Sequence, residues 1–90
     1  MKKHQPSGAL LHKLHTDLSD EALLANDLSA IVASRIQEIL NQKGLSHKDL
    51  AQATRHTQGV VSRWLSGKHN FTLSTIAKIS VALNQNILEL

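Results

Sequence analysis

Apolar residues in this chain recur at intervals of three and four, and the stretches that carry this rhythm are separated by short polar breaks. Leu23, Leu24 and Leu28 give the first stretch an apolar side, behind Ser19 as a cap and the acids Asp20 and Glu21, which suit the positive start of a helix. The pattern leaves open whether this helix passes through Asn26 and Asp27 into the next. Ser29 is a second capping residue, and Val32, Ile36, Ile39 and Leu40 then fall at i, i+4, i+7 and i+8. A helix from about residue 30 to 43 is expected, stopped by Gly44.

Ser46 caps a short helix, "HKDLAQA", in which Leu50 and Ala53 point inward and Asp49 reaches back to the cap. Beyond Thr54, Arg55 and His56, Thr57 caps a third helix with Val61, Trp64 and Leu65 on one face, ended by Ser66 and Gly67. A fourth starts at Thr72 or Ser74, carries Leu73, Ile76, Ile79 and Leu83 at helical spacing, and stops at Asn84 in a left-handed conformation. Ile87, Leu88 and Leu90 make an apolar last turn. Neither strict alternation nor an Asn-Gly or Asp-Gly turn appears, so strands are not expected. The chain reads as all-α, a compact bundle of four to five short helices.

Length and composition narrow what such a bundle can do. Ninety residues support a single core. Residues 1–28 read as an N-terminal arm, flexible around Pro6, Ser7 and Gly8 and then partly helical, ahead of a domain over 29–90. The absence of cysteine excludes disulfides and thiolate metal sites and fits a reducing, cytoplasmic setting. No apolar run is long enough to span a bilayer, and the basic opening lacks an export signal's apolar stretch. The net charge is only +3, yet it is unevenly spread. Asp17, Asp20, Glu21 and Asp27 form an acidic lead, whereas Lys43, Lys48, Arg55, Arg63 and Lys68 follow against one acid, Asp49. That basic centre fits a polyanionic partner.

The second and third helices meet the needs of a helix-turn-helix: a tight turn, then a helix polar at its start and basic along its outer face. From Ser46 to Asn84, "SHKDLAQATRHTQGVVSRWLSGKHNFTLSTIAKISVALN" resembles the repressor and Cro type of helix-turn-helix, the XRE family, and the likeness extends back to about Ile31. It spans roughly two thirds of the chain. Ala51 stands at the crossing of the two motif helices, where only a methyl fits, with Leu50, Val61 and Trp64 at the family's core positions. "SGKHNFTL" is similar to the family's following loop, with Phe71 in place of its usual proline. The sequence departs from the family at the turn glycine, here Arg55, which would cost roughly 1–2 kcal/mol in a left-handed conformation. Its usually apolar neighbours are here Thr54 and His56.

The resemblance implies a lambda repressor-like fold in which Thr57, Gln58, Gly59, Val60, Ser62 and Arg63 face duplex DNA. It implies also that Lys68, His69 and Asn70 approach phosphates. Side-chain chemistry agrees. Gln58 can pair with one adenine edge, Arg63 can fork onto guanine or a phosphate, and a helix start capped by Thr57 favours an anion. His47 could touch a phosphate or lie in solvent. Gly59, which costs a helix about 1 kcal/mol against alanine, fits a close approach to the groove. Trp64, in register with Val61, reads as core rather than as a stacking platform.

No cofactor or metal is expected, because His12 and His15, three apart, lack a third clustered ligand. Ser46, His47 and Asp49 have the residue types of a hydrolytic triad, but neighbours in sequence rarely converge in space, so an enzyme is not expected. The sequence points to a regulator, a repressor binding a double-stranded operator as a homodimer. The alternative is an antitoxin whose acidic, leucine-containing segment 17–28 also docks a basic toxin.

Overall fold

Side-chain caps divide the chain into its helices. The computed structural model describes residues 19–89. Most of the N-terminal arm, with Pro6, His12 and His15, lies outside them, as does Leu90. Four helices follow in order: α1 (Ser19–Lys43), α2 (His47–Thr54), α3 (Gln58–Trp64) and α4 (Leu73–Leu83), with no strand among the described residues. Thr57 Oγ1 accepts the Val60 N–H at 3.2 Å and Thr72 Oγ1 accepts the Thr75 N–H at 3.1 Å. Asn84, in the left-handed region at φ 53°, ends α4 as expected. None of the four is long and apolar enough to cross a membrane.

At α2 the cap is reciprocal. Ser46 Oγ accepts the Asp49 N–H at 3.0 Å, and the Asp49 carboxylate accepts the Ser46 N–H at 2.8 Å. The bond from the Ser46 backbone, then that from its side chain, holds the Asp49 carboxyl below its ordinary value. Because the folded value is depressed, the stabilisation is complete above the unfolded carboxylate value of about 4 and is lost as pH falls through the folded one. Asp49→Ala is therefore expected to be less stable than the parent at neutral pH, with the gap closing in acid; urea melts of both proteins from pH 7 downwards measure it.

α1 resolves the question of continuity at Asn26 and Asp27. It is a single helix of 25 residues, so Ser29 lies mid-helix rather than at a cap. Asn, Asp and Ser each lose at most about 0.7 kcal/mol against alanine inside a helix. The second half of α1 supports the first, since Ile36, Ile39 and Leu40 are fully buried.

Those three side chains meet Leu50 and Ala51 of α2, Val61 and Trp64 of α3, and Ile79 and Leu83 of α4 in one core. Ile87 joins it from the C-terminal turn, its N–H held by Ser80 Oγ at 3.2 Å. Two expected core positions are corrected. Ala53 is exposed and Thr54 buried in its place, which the threonine tolerates because its hydroxyl donates to the Leu50 carbonyl at 2.8 Å. Leu73, the first residue of α4, is 78% exposed, since the inward face of that helix begins at Ile76.

Candidate nucleic-acid interface

α2 packs against both α3 and α4, so the angle at which α3 leaves the bundle is set by the link between Thr54 and Thr57. Arg55 occupies the left-handed region at φ 60° and ψ 41°. This is the conformation in which the family places glycine, and an arginine there carries a cost of about 1–2 kcal/mol. The turn is held by the His56 N–H, which donates to the Ala51 carbonyl at 2.9 Å, and by the Arg55 N–H to Gln52 at 3.2 Å. The two residues that replace apolar neighbours both serve packing. Thr54 closes the core, and the His56 ring stands edge-on to Trp64 with centroids 5.1 Å apart.

α3 is thereby split lengthwise. Val61 and Trp64 are buried, Val60 and Leu65 flank them half-buried, and Gln58, Gly59, Ser62 and Arg63 are exposed. Positions 58, 59, 62 and 63 share one helix face, so the outward surface offers an amide, a hydroxyl and a guanidinium on a thin backbone. Thr57, exposed at the start, directs its oxygen to its own helix and leaves the neighbouring amides outward. Among the expected contact residues Val60 stands apart, because part of its side chain packs on the core.

Gly59 has no role in folding that needs its missing side chain. A methyl group there would meet only Thr57 Oγ1, at 3.7 Å. Gly67 is different: its φ is +84°, a conformation that strains any L side chain, and it lies against Ala30 of α1. Ser66 braces the loop around Gly67, donating to the Arg63 carbonyl at 2.8 Å and accepting the Lys68 N–H at 3.2 Å. Lys68 is exposed beyond it. His69 is half-buried in a T-shaped contact with Phe71, centroids 4.8 Å apart, and exposed Asn70 lines a groove with Ala25 and Ser29 of α1.

His47 is exposed and tethered. Its Nε2–H donates to Gln37 Oε1 at 2.9 Å, while Gln37 Nε2 donates to Asn41 Oδ1 at 3.0 Å. Gln37 also lines a shallow cleft with Leu65, Ser66 and Gly67. This α1 side chain therefore binds the start of α2 and borders the cleft at the loop that follows α3. Sequence reading missed it, and the only available signal was the polar pair Gln37 and Asn41 one turn apart on α1. Around α3 the exposed cations Lys48, Arg63 and Lys68 form no ion pair with another described residue, the one such pair being Arg35 with Glu38.

A helix-turn-helix family model matches residues 36–90, from the buried half of α1 to the end of the chain. No curated protein and no solved structure gives a significant match.

Proposed function

From the premise that this chain belongs to the XRE type of helix-turn-helix family, a family of DNA-binding regulators, we propose that it is a repressor that reads the major groove with α3. The supporting observation is the division of α3 itself, with Val61 and Trp64 fixed in the core while Gln58, Gly59, Ser62 and Arg63 stand clear of it. Gln58 meets a base edge, Arg63 a guanine or phosphate, and Lys68 the phosphates next to the reading helix. His47, oriented by Gln37, approaches the backbone from the start of α2, and Thr57, Val60, His69 and Asn70 complete the contact surface. The protein acts in the cytoplasm as a dimer on a pseudo-palindromic site, because a single module of this size offers little surface for specificity.

Selection of bound fragments from random duplex DNA tests this reading. Enrichment of two inverted half-sites about 34 Å apart, or a multiple of that, is the expected result; recovery of no preferred sequence would overturn it. Gln58→Ala is expected to lose about 1–3 kcal/mol per half-site, concentrated at one base position. Binding titrations on the selected site and on single-base variants give that pattern.

Gly59→Ala separates folding from recognition. Added helix propensity without a steric conflict should stabilise the protein by up to about 1 kcal/mol. The same methyl, on the face nearest the groove, should weaken operator binding. Thermal melting and operator titration of one variant are thus expected to move in opposite directions.

A further inference from the structure

The first half of α1 leaves large apolar side chains uncovered. Leu24, Leu28 and Ile31 are 52%, 54% and 64% exposed. Four and then three residues apart, they lie on one face of the helix. The same face carries the acidic first turn, Asp20 and Glu21, at one end and Arg35 at the other. Arg35 gives one N–H to Glu38 at 2.8 Å and keeps further guanidinium donors. Along the axis the stripe therefore runs from an acidic turn, with Glu21 exposed, through apolar side chains to the Arg35–Glu38 pair, whose guanidinium keeps donors to spare.

Such a stripe is complementary to itself when turned end for end. A two-fold axis passing by Leu28 sets Leu24 beside Ile31 of the second copy and the acidic turn beside Arg35 of that copy. Isologous contacts require this self-complementarity. The apolar area also widens on one side, where Ala25, Leu28, Val32, Phe71, Ile76 and Leu88 line a groove. At the C-terminal end, by contrast, Ile87 is used up in the protomer's own core, and the outward Val81 and Leu88 are seven residues apart with no apolar side chain exposed between them.

The position of the stripe is compatible with DNA binding. Ala30, Ala33 and Gln37, which line the cleft with Leu65, Ser66 and Gly67, project from α1 about 150° around the axis from Leu24, Leu28 and Ile31, at about 100° per residue. A copy seated on the stripe leaves α3 and Lys68 uncovered, while Asn70 borders the groove beside Leu28. We infer that α1 carries the dimer interface, a second copy of the chain packing antiparallel on Leu24, Leu28 and Ile31. This rests on the dimeric reading above and gives it a surface.

Sedimentation of the full chain at micromolar concentration, with and without substitutions, tests the assignment. The parent is expected to be a dimer. Leu28→Glu and Ile31→Glu, each at a solvent-exposed position, should weaken it by about a hundredfold while leaving helical circular dichroism unchanged. Arg35→Glu should weaken it by setting acid against acid, and Glu21→Lys added to Arg35→Glu should restore part of the loss. A monomeric parent, a dimer indifferent to these substitutions, or a parent that dimerises only after Leu10→Glu and Leu14→Glu would overturn the inference. The last result would mean that the N-terminal segment covers the stripe. Selection from random DNA distinguishes the two failures. A monomer that still enriches one half-site removes the interface alone, whereas a stripe-dependent dimer that enriches no sequence removes the repressor reading alone.

Discussion

Trp64→Ala is expected to destabilise the protein by about 3–5 kcal/mol and to abolish operator binding with it. The magnitude follows from where the indole sits. It is 3% exposed, at the end of the seven-residue α3, edge-on to His56 and in one core with Val61, Ile36 and Leu50. A helix of two turns has almost no stability of its own, so α3 holds its shape only because Val61 and Trp64 anchor it. A domain of this size is stable by roughly 5–10 kcal/mol in all, and the truncation removes a large share of that. Urea denaturation followed by circular dichroism measures the loss. Trp64→Phe keeps an aromatic ring in the site and should retain much of the stability, which separates lost packing from any effect of the indole on DNA.

The same residue shows what the sequence made legible. Trp64 could be assigned to the core from its register with Val61, and the caps Ser46 and Thr57 and the stop at Asn84 could be assigned because their signals are local: a side-chain oxygen or a left-handed backbone acting within one turn; at α4 the sequence offers Thr72 or Ser74, and Thr72 is the cap. Where the deciding contact lay elsewhere in the chain, the reading was incomplete. Ser29, with Asn26 and Asp27 before it, has the composition of a helix start, and α1 runs through it to the anchoring side chains Ile36, Ile39 and Leu40 about two to three turns later. Thr54 reads as a turn residue by its polarity, yet its own helix satisfies the hydroxyl at the Leu50 carbonyl and lets it be buried.

Legibility of the candidate interface divides in the same way. The outward face of α3 followed from periodicity, since fixing Val61 and Trp64 inward forces Gln58, Ser62 and Arg63 outward. The tether of His47 to Gln37, beside the cleft at Ser66 and Gly67, did not follow, because it joins elements that no local pattern relates. Arg55 was a visible anomaly in the sequence, and the structure keeps it as a left-handed arginine rather than relaxing the turn. The cost of that conformation is met by the core on either side of the turn, Ala51 and Thr54 before it and Val61 and Trp64 after it.

The second large effect is electrostatic. If the proposed dimer sets Arg63, Lys68 and the exposed Lys48 of each protomer against the backbone, about six phosphates are neutralised, and operator affinity should fall by about a thousandfold between about 50 and about 200 mM salt. These cations suit the task because none is paired with an acid among the described residues, and the one acid of the segment, Asp49, is occupied by Ser46. Counterion release then acts without the competing cost of breaking an internal salt bridge. Lys68→Ala should weaken specific and random duplexes alike and reduce the steepness of the salt dependence by about one contact per protomer. Gln58→Ala should leave that steepness unchanged while erasing a base preference, because an amide displaces no counterion. Titrations at a series of salt concentrations on operator and random DNA place the two variants on separate axes, slope for the lysine and sequence for the glutamine. If both variants lost affinity equally on both duplexes with parent-like slopes, Lys68 would not lie at the backbone nor Gln58 at the bases, and α3 would not be the reading helix.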